Sequence, residues 1–308
     1  MMAVPMALNA VIRLGVPEAI WAAGANAPLS AAELLPAGHP DPTVLERLLR
    51  LLASRGVFSE HGGSPRRYAL TAVGSHPGGH GALGRVLRRL RAAAPPGRAG
   101  GGLAAPPRGR ARPCRSRAIR ASPRRRPGLR LLRQGQPFME ALLDGYAGGF
   151  DGVATLVDVG GSSGACLQMI MRRIGTNQGG HQLRPAGRVS HVGGDMFKSI
   201  PSGDAIFMKW VLTTWTNDEC TAILKNCYTA LPDGGKVIAC EPVMPDQTDS
   251  SVRTRALLEN DIFVMTTYRT QGRERSEEEF RQLGLAAGFS GFKAIYLDPF
   301  YAVLEYKK

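Results

Sequence analysis

Apolar positions along this chain recur with two different periods. In DPTVLERLLRLLASRGVF, Leu45, Leu48, Leu49 and Leu52 fall three and four residues apart, which predicts a helix with one apolar face. MALNAVIRLGVPEAIWAAG has the same helical spacing and ends on a glycine. PLSAAELLP opens with Ser30 and carries Glu33 three residues later, the capping-box arrangement of a helix start. FSEHGGSPRRYALTAVG then reads as strand, Gly-Gly turn, strand. Three helices followed by a hairpin form a winged-helix pattern. On pattern alone such a unit serves dimerisation or DNA binding equally well. Its third helix is apolar-rich and mixes Arg with Glu, which favours packing over recognition of DNA.

From residue 136 the pattern changes to short apolar runs alternating with helical stretches. QPFMEALLDGYAGGF predicts a helix with a glycine exit, and ATLVDVGGSSGACLQMIMRRI predicts strand, glycine turn, helix. RVSHVGGDMF reads as a strand ending in Gly-Gly-Asp, and AIFMKWVLT and KVIACEPVMP as two more. KAIYL and AVLEY form a terminal pair. Strands alternating with helices predict an α/β fold with a doubly wound, mostly parallel sheet. The expected organisation is a winged-helix dimerisation unit over 1–84, an irregular Arg/Pro/Gly-rich segment over 85–134, and the α/β domain over 135–308.

Composition changes this picture in one place. A chain of 308 residues holds one large domain and a smaller one. No apolar stretch approaches the ~18 residues of a membrane span, and the N-terminus lacks a basic start followed by a continuous apolar run. Five cysteines without a CxxC pair fit a reduced, cytoplasmic setting, and no metal site is expected. The formal net charge is +14, but residues 85–134 hold sixteen arginines, no lysine and no acid, so the rest of the chain sums to −2. That block reads as a nucleic-acid-binding arm, as a linker kept open by Pro, Gly and like charge, or as the product of a shifted frame in a GC-rich gene. The lack of Lys and aromatic residues favours the last, and no nucleic-acid partner is expected.

Candidate chemistry sits at two strand ends. Asp158-Val159-Gly160-Gly161-Ser162-Ser163-Gly164 lies between a buried strand and a helix. Glycines there let a ligand approach the backbone, and the helix start favours a carboxylate or phosphate. Alone, the turn suits a dinucleotide, S-adenosylmethionine or a purely structural bend. The sequence continues with Gly194-Asp195-Met196-Phe197 after the next expected strand and Lys209-Trp210 at the end of the one after it.

With these motifs, VDVGGSSG, HVGGDMF, GDAIFMKW, LKNCYTALPDGGKVI and EEEFRQLGLAAGF resemble the plant O-methyltransferases typified by caffeic acid O-methyltransferase, over residues 1 to about 80 and about 136 to 308. The resemblance implies a Rossmann-like class I fold dependent on S-adenosylmethionine, an N-terminal winged-helix dimerisation domain and a homodimer. It implies that Gly160 and Gly161 meet the methionine end of the cofactor, that Asp195 and Met196 flank the adenine, that Lys209 bonds near the same region, and that Asp158 and Phe197 belong to the same cofactor site. Two departures stand out. The family's ribose-binding acid has no counterpart in IGTNQGGHQLRPAGRVS, a contact worth about 2–3 kcal/mol. The arginine block replaces helices that in the family help close the substrate pocket and the dimer interface.

The family's catalytic histidine lies in a WxxHDW pattern, and the matching stretch here is Trp210-Val211-Leu212-Thr213-Thr214-Trp215. Thr213 stands at the histidine position, and no histidine follows His191. Threonine is no base near neutral pH. The family acids that orient the histidine correspond to Glu241 and Glu274. Either the protein is a non-catalytic relative, or its acceptor needs no deprotonation, as with a pyridine nitrogen, where catalysis reduces to positioning. Arg269, in TYRTQG, stands where the family has a substrate-contacting asparagine and could clamp a carboxylate bidentately. TTWTND, VMTTYRT and DPFYAVLEY resemble the nicotinate N-methylating branch of that family. The expected reaction is N-methylation of a small aromatic acid, nicotinate by preference, with Thr213, Thr214, Glu241 and Glu274 at the reacting centre and Arg269, Tyr268, Trp210 and Met265 around the substrate. O-methylation of a phenolic and a catalytically impaired dimerisation module are the alternatives. Blander uses compete: Arg269 as a solvated loop charge, Trp210 and Met265 as core, and a threonine of TTWTND as a helix cap, with Thr216 or Asn217 the better placed.

Overall fold

The computed structural model describes residues 3–24, 26–36, 41–71, 128–146, 148–177 and 189–308. Of the arginine block, 85–127 lies outside the described residues.

The N-terminal unit is built from α1 (Ala3–Arg13), α2 (Val16–Ala22), α3 (Pro42–Ala53) and a three-stranded antiparallel sheet in the order β1 (Leu29–Ser30), β3 (Arg67–Leu70), β2 (Phe58–His61). The helical run expected over 6–24 breaks into two helices at Gly15, whose φ of 70° is open to glycine and strained for other residues. The Ser30–Glu33 pairing forms, with Ser30 N donating to Glu33 Oε2 at 2.8 Å and Glu33 N to Ser30 Oγ at 3.4 Å. It closes only a turn, because Leu29 and Ser30 are held as a strand against Tyr68 and Arg67. Leu45, Leu48, Leu49 and Leu52 are all buried, as the stripe requires.

The second unit follows with α4 (Gly128–Gly145), β4 (Leu156–Val159), α5 (Ala165–Asn177), β5 (Ala205–Lys209), α6 (Asn217–Ala230), β6 (Lys236–Met244), α7 (Val252–Thr267), β7 (Arg275–Ser276), α8 (Glu277–Ala287), β8 (Gly291–Tyr296) and β9 (Tyr301–Lys307). α4 starts inside the segment expected to be irregular. The sheet order is β4-β5-β6-β9-β8, with β7 beside the end of β6. β4, β5 and β6 are parallel, while β9 runs antiparallel to both β6 and β8. The sheet is mostly parallel, as expected: β9 alone among the described strands runs against the rest, because the C-terminal hairpin returns it between β6 and β8.

Alternation along the strands feeds two cores. Ile206, Met208, Val237, Ala239 and Leu304 face α6 and α8, where Ile223, Leu224, Phe280 and Leu283 meet them. Phe207, Ile238, Cys240 and Val303 face α4 and α5, against Phe138, Met139, Leu142 and Ile170. A third core joins the two units: Leu257, Leu258 and Ile262 of α7 pack with Leu45, Leu49 and Leu52 of α3.

The strand expected in RVSHVGGDMF is absent over 189–195. No described strand lies beyond β4 to pair with it, and unpaired backbone stays with water. Val192 is accordingly 68% exposed.

Candidate active site

β5 ends at Lys209, and the chain turns sharply through Trp210, whose φ of 56° is unusual for a bulky residue. A single 3-10 turn, Leu212–Thr214, follows. Glu241, fully buried on β6, holds this turn: its Oε1 accepts Val211 N–H at 2.8 Å and Leu212 N–H at 2.9 Å. Burial, only partly offset by those bonds, pushes its carboxyl up to about 7. Glu274 enters from the chain before β7, with Oε1 accepting the Asn260 amide at 2.6 Å. Burial, then repulsion from Glu241 and Asp261, holds it well above the usual carboxylate range. The Oε2 atoms of both acids are buried without a partner. Thr213 is buried beside Glu274, and its hydroxyl donates to Arg273 O at 3.4 Å. Thr214 is half-buried at the end of the turn.

The glycine turn lies at the end of β4. Gly160 has φ 74° and packs under Val211. A Cβ on Gly161 would stand 2.1 Å from Asp158 Oδ2, so no side chain fits there. That Oδ2 is buried without a partner, and burial pushes the Asp158 carboxyl up to about 6. An orphaned carboxylate oxygen beside a turn that excludes side chains fits an amino-acid ammonium. Farther along, Asp195 Oδ1 accepts Phe197 N–H at 3.0 Å, Met196 O accepts the Asn226 amide at 2.8 Å, and the Phe197 ring meets Trp215 edge-on at 4.8 Å.

Residues 131–290 match the model of the O-methyltransferase domain, and residues 1–76 that of the O-methyltransferase dimerisation domain. The chain belongs to the O-methyltransferase family. It is a methyltransferase that uses S-adenosylmethionine. It is 62% identical to nicotinate N-methyltransferase 1 of Oryza sativa subsp. japonica, covering 100% of this chain and 94% of the relative. It is 47% identical to nicotinate N-methyltransferase 1 of Arabidopsis thaliana over the same shares. The rice alignment spans 351 positions against 308 residues here, so the relative carries segments that this chain lacks. A crystal structure of an O-methyltransferase family 2 protein from Planctomyces limnophilus, in complex with apigenin, shares the fold at TM-score 0.56 and 16% identity, covering 99% of this chain and 95% of that one.

In this methyltransferase the structure gathers Thr213, Glu241 and Glu274 at one point, from three separate elements. It does not bring Lys209 to Asp195, Met196 and Phe197. The Lys209 ammonium lies over the rings of Tyr301 at 4.6 Å and Phe138 at 5.9 Å, on the α4 side of the sheet. There the Cys166 thiol, pushed up mainly by burial, feels both Lys209 and Asp158. Met265 packs on the core shared with the N-terminal unit. Tyr268 is half exposed, edge-on to Trp210 at 5.8 Å and to Phe263 at 5.9 Å. Arg269 already carries a carboxylate: its Nη1 donates to both oxygens of Glu219, at 2.9 and 2.8 Å, and its guanidinium covers the Trp215 ring. Glu219 in turn closes a capping box on Thr216, so Thr216 caps α6.

The sequence reading passed over Arg275. It is fully buried, donating to Leu212 O at 3.0 Å, Trp215 O at 2.5 Å and Asn217 Oδ1 at 2.9 Å, and so ties the Thr213 turn to the start of α6. In RERSEEE it is one charge in a run that reads as solvated.

Proposed function

We propose that this methyltransferase transfers the methyl group of S-adenosylmethionine to the ring nitrogen of nicotinate. The observation that carries the reading is the turn at 212–214. Where the resemblance implies a histidine, Thr213 is buried with its hydroxyl on a backbone carbonyl, and the two adjacent acids are held toward their neutral forms. No histidine stands there to take a phenolic proton, and both acids are buried, with Glu241 Oε1 committed to the N–H groups of Val211 and Leu212. A pyridine nitrogen keeps its lone pair at neutral pH and has no proton to lose, so position and exclusion of water suffice. The full-length likeness to two proteins named nicotinate N-methyltransferase supports the same acceptor.

Asp158, Gly160 and Gly161 would hold the methionine end of the cofactor, which supplies an electrophilic methyl group on sulfur. Trp210 and Tyr268 would wall the acceptor ring. Arg269 would take its carboxylate, in competition with Glu219. Two subunits would pair through the N-terminal domain.

The test is steady-state methylation of nicotinate by the full chain. Arg269→Ala is expected to raise KM for nicotinate at least tenfold with kcat within threefold. Glu219→Gln keeps the cap on Thr216 but removes the competing charge, and is expected to lower KM. An unchanged KM in both variants would remove Arg269 from the substrate. A rate on phenolic acceptors that rises steeply with pH, with none on nicotinate, would replace the reading with O-methylation.

A further inference from the structure

We propose that Arg47, a residue of the N-terminal domain, is a positioning residue for the acceptor site, acting through Asp261. This inference rests on the nicotinate reading only for its activity assay.

Arg47 lies on α3 and Asp261 on α7, with side chains 11% and 5% exposed. The guanidinium is forked on the carboxylate: Nε donates to Asp261 Oδ2 at 2.7 Å and Nη2 to Asp261 Oδ1 at 2.9 Å. The same Nη2 also reaches Asp261 O at 2.9 Å and Gly272 O at 3.0 Å. Asp261 Oδ1 accepts a further bond, from Glu274 N–H at 2.9 Å. One ion pair therefore grips the segment 269–274 at three places, at Thr270 O (3.5 Å from Arg47 Nη1) and Gly272 O by the arginine and at Glu274 N–H by the aspartate.

That segment is bonded to the reacting centre. Arg273 N donates to Thr213 O at 2.9 Å, and Thr213 Oγ1 donates back to Arg273 O. Gly272 lies so close that a Cβ there would stand 3.2 Å from Thr213 O and 3.1 Å from Val264 Cγ1. Glu274 carries one of the two buried acids, and Arg269, at the head of the segment, carries the charge assigned to the substrate carboxylate. A shift of Arg47 relative to α7 thus moves Gly272, Glu274 and Thr213 together, while the glycine turn at 160–164 shares none of these bonds. The ion pair should accordingly govern turnover and leave cofactor binding alone.

A point charge cannot reproduce the fork, so Arg47→Lys keeps the ion pair and loses the bonds that reach beyond it. In the full chain it is expected to raise amide exchange at Arg273 and Glu274 at least tenfold. It should lower kcat on nicotinate about tenfold, with the S-adenosylmethionine Kd within threefold of wild type. The pair Arg47→Met with Asp261→Asn removes both buried charges and keeps an acceptor for Glu274 N–H. It should recover the melting temperature while kcat stays low, a split that a purely structural role would not produce. Unchanged exchange at 273–274 in Arg47→Lys overturns the proposal, as does loosened exchange with wild-type kcat. The exchange measurement needs no acceptor. If wild type fails to methylate nicotinate, the acceptor reading falls and exchange alone decides the role of Arg47.

Discussion

Alanine at Gly161 is expected to weaken S-adenosylmethionine binding at least a hundredfold. Gly161 does not have a positive φ, so the backbone accepts alanine without strain. The added methyl would meet Asp158 with Oδ2 at 2.1 Å, Cγ at 2.4 Å and Oδ1 at 2.8 Å. A side chain that short cannot yield at its tip alone, so the whole carboxylate must swing away. The oxygen that leaves is the buried, unpartnered one suited to the cofactor's ammonium. A charge-assisted hydrogen bond in such a place contributes roughly 1.5–3 kcal/mol, and a hundredfold corresponds to about 2.7 kcal/mol. Calorimetric titration of Gly161→Ala and Asp158→Asn without acceptor should give the same loss. Affinity within threefold of wild type in both would mean that the methionine end lies elsewhere.

The second large effect concerns stability and pH, through Glu241. Its folded pKa, about 7, lies above the ordinary 4.5, so between those values the folded chain holds a proton that the unfolded chain releases. Its contribution is therefore greatest below about pH 4.5 and falls as pH rises to about 7, by about 1.4 kcal/mol per pH unit and about 3 kcal/mol in all. Glu274, raised by burial and by Glu241 itself, adds a loss of the same sign. Glutamine at 241 keeps an acceptor for Val211 and Leu212 N–H and abolishes the titration. Glu241→Gln should match wild type near pH 4.5 and exceed it by about 3 kcal/mol at pH 8, read from urea unfolding across that range. The difference between the two proteins cancels the titration of other groups, among them Asp158, which is raised in the same direction. Glu241→Ala should be destabilised at every pH, because two buried N–H groups lose their acceptor at roughly 1–3 kcal/mol each. A wild-type curve parallel to that of Glu241→Gln would show Glu241 ionised in the folded chain.

Both effects depend on residues whose type is visible in the sequence but whose surroundings are not. Thr213 could be matched to a histidine position by its place between Trp210 and Trp215. Its contact with Arg273 and Glu274 could not be, since Arg273 lies sixty positions further along the chain. Glu241 was matched by resemblance to an acid that orients a histidine, and the structure gives it two backbone N–H groups and a raised pKa instead. Arg269 read as a free clamp or a solvated charge, and it is paired with Glu219, which the sequence marks only as part of a helix start. Lys209 was grouped with Asp195 by resemblance, and strand alternation turns its side chain to the other face of the sheet.

The sequence by itself determined the features whose causes are local. The leucine stripe of α3 follows from a helical period, the turn after β4 from glycines that permit φ values and approaches closed to other residues, and the start of α6 from a threonine and a glutamate three residues apart. Only the tertiary structure decided the reversal of β9 between β6 and β8, the absence of a strand over 189–195, the burial of Arg275 and the forked bond between Arg47 and Asp261, 214 residues apart. A strand exists only where a neighbour takes its backbone bonds, and a buried charge only where a partner offsets its lost hydration, and in each of these cases the neighbour or partner comes from a distant part of the chain.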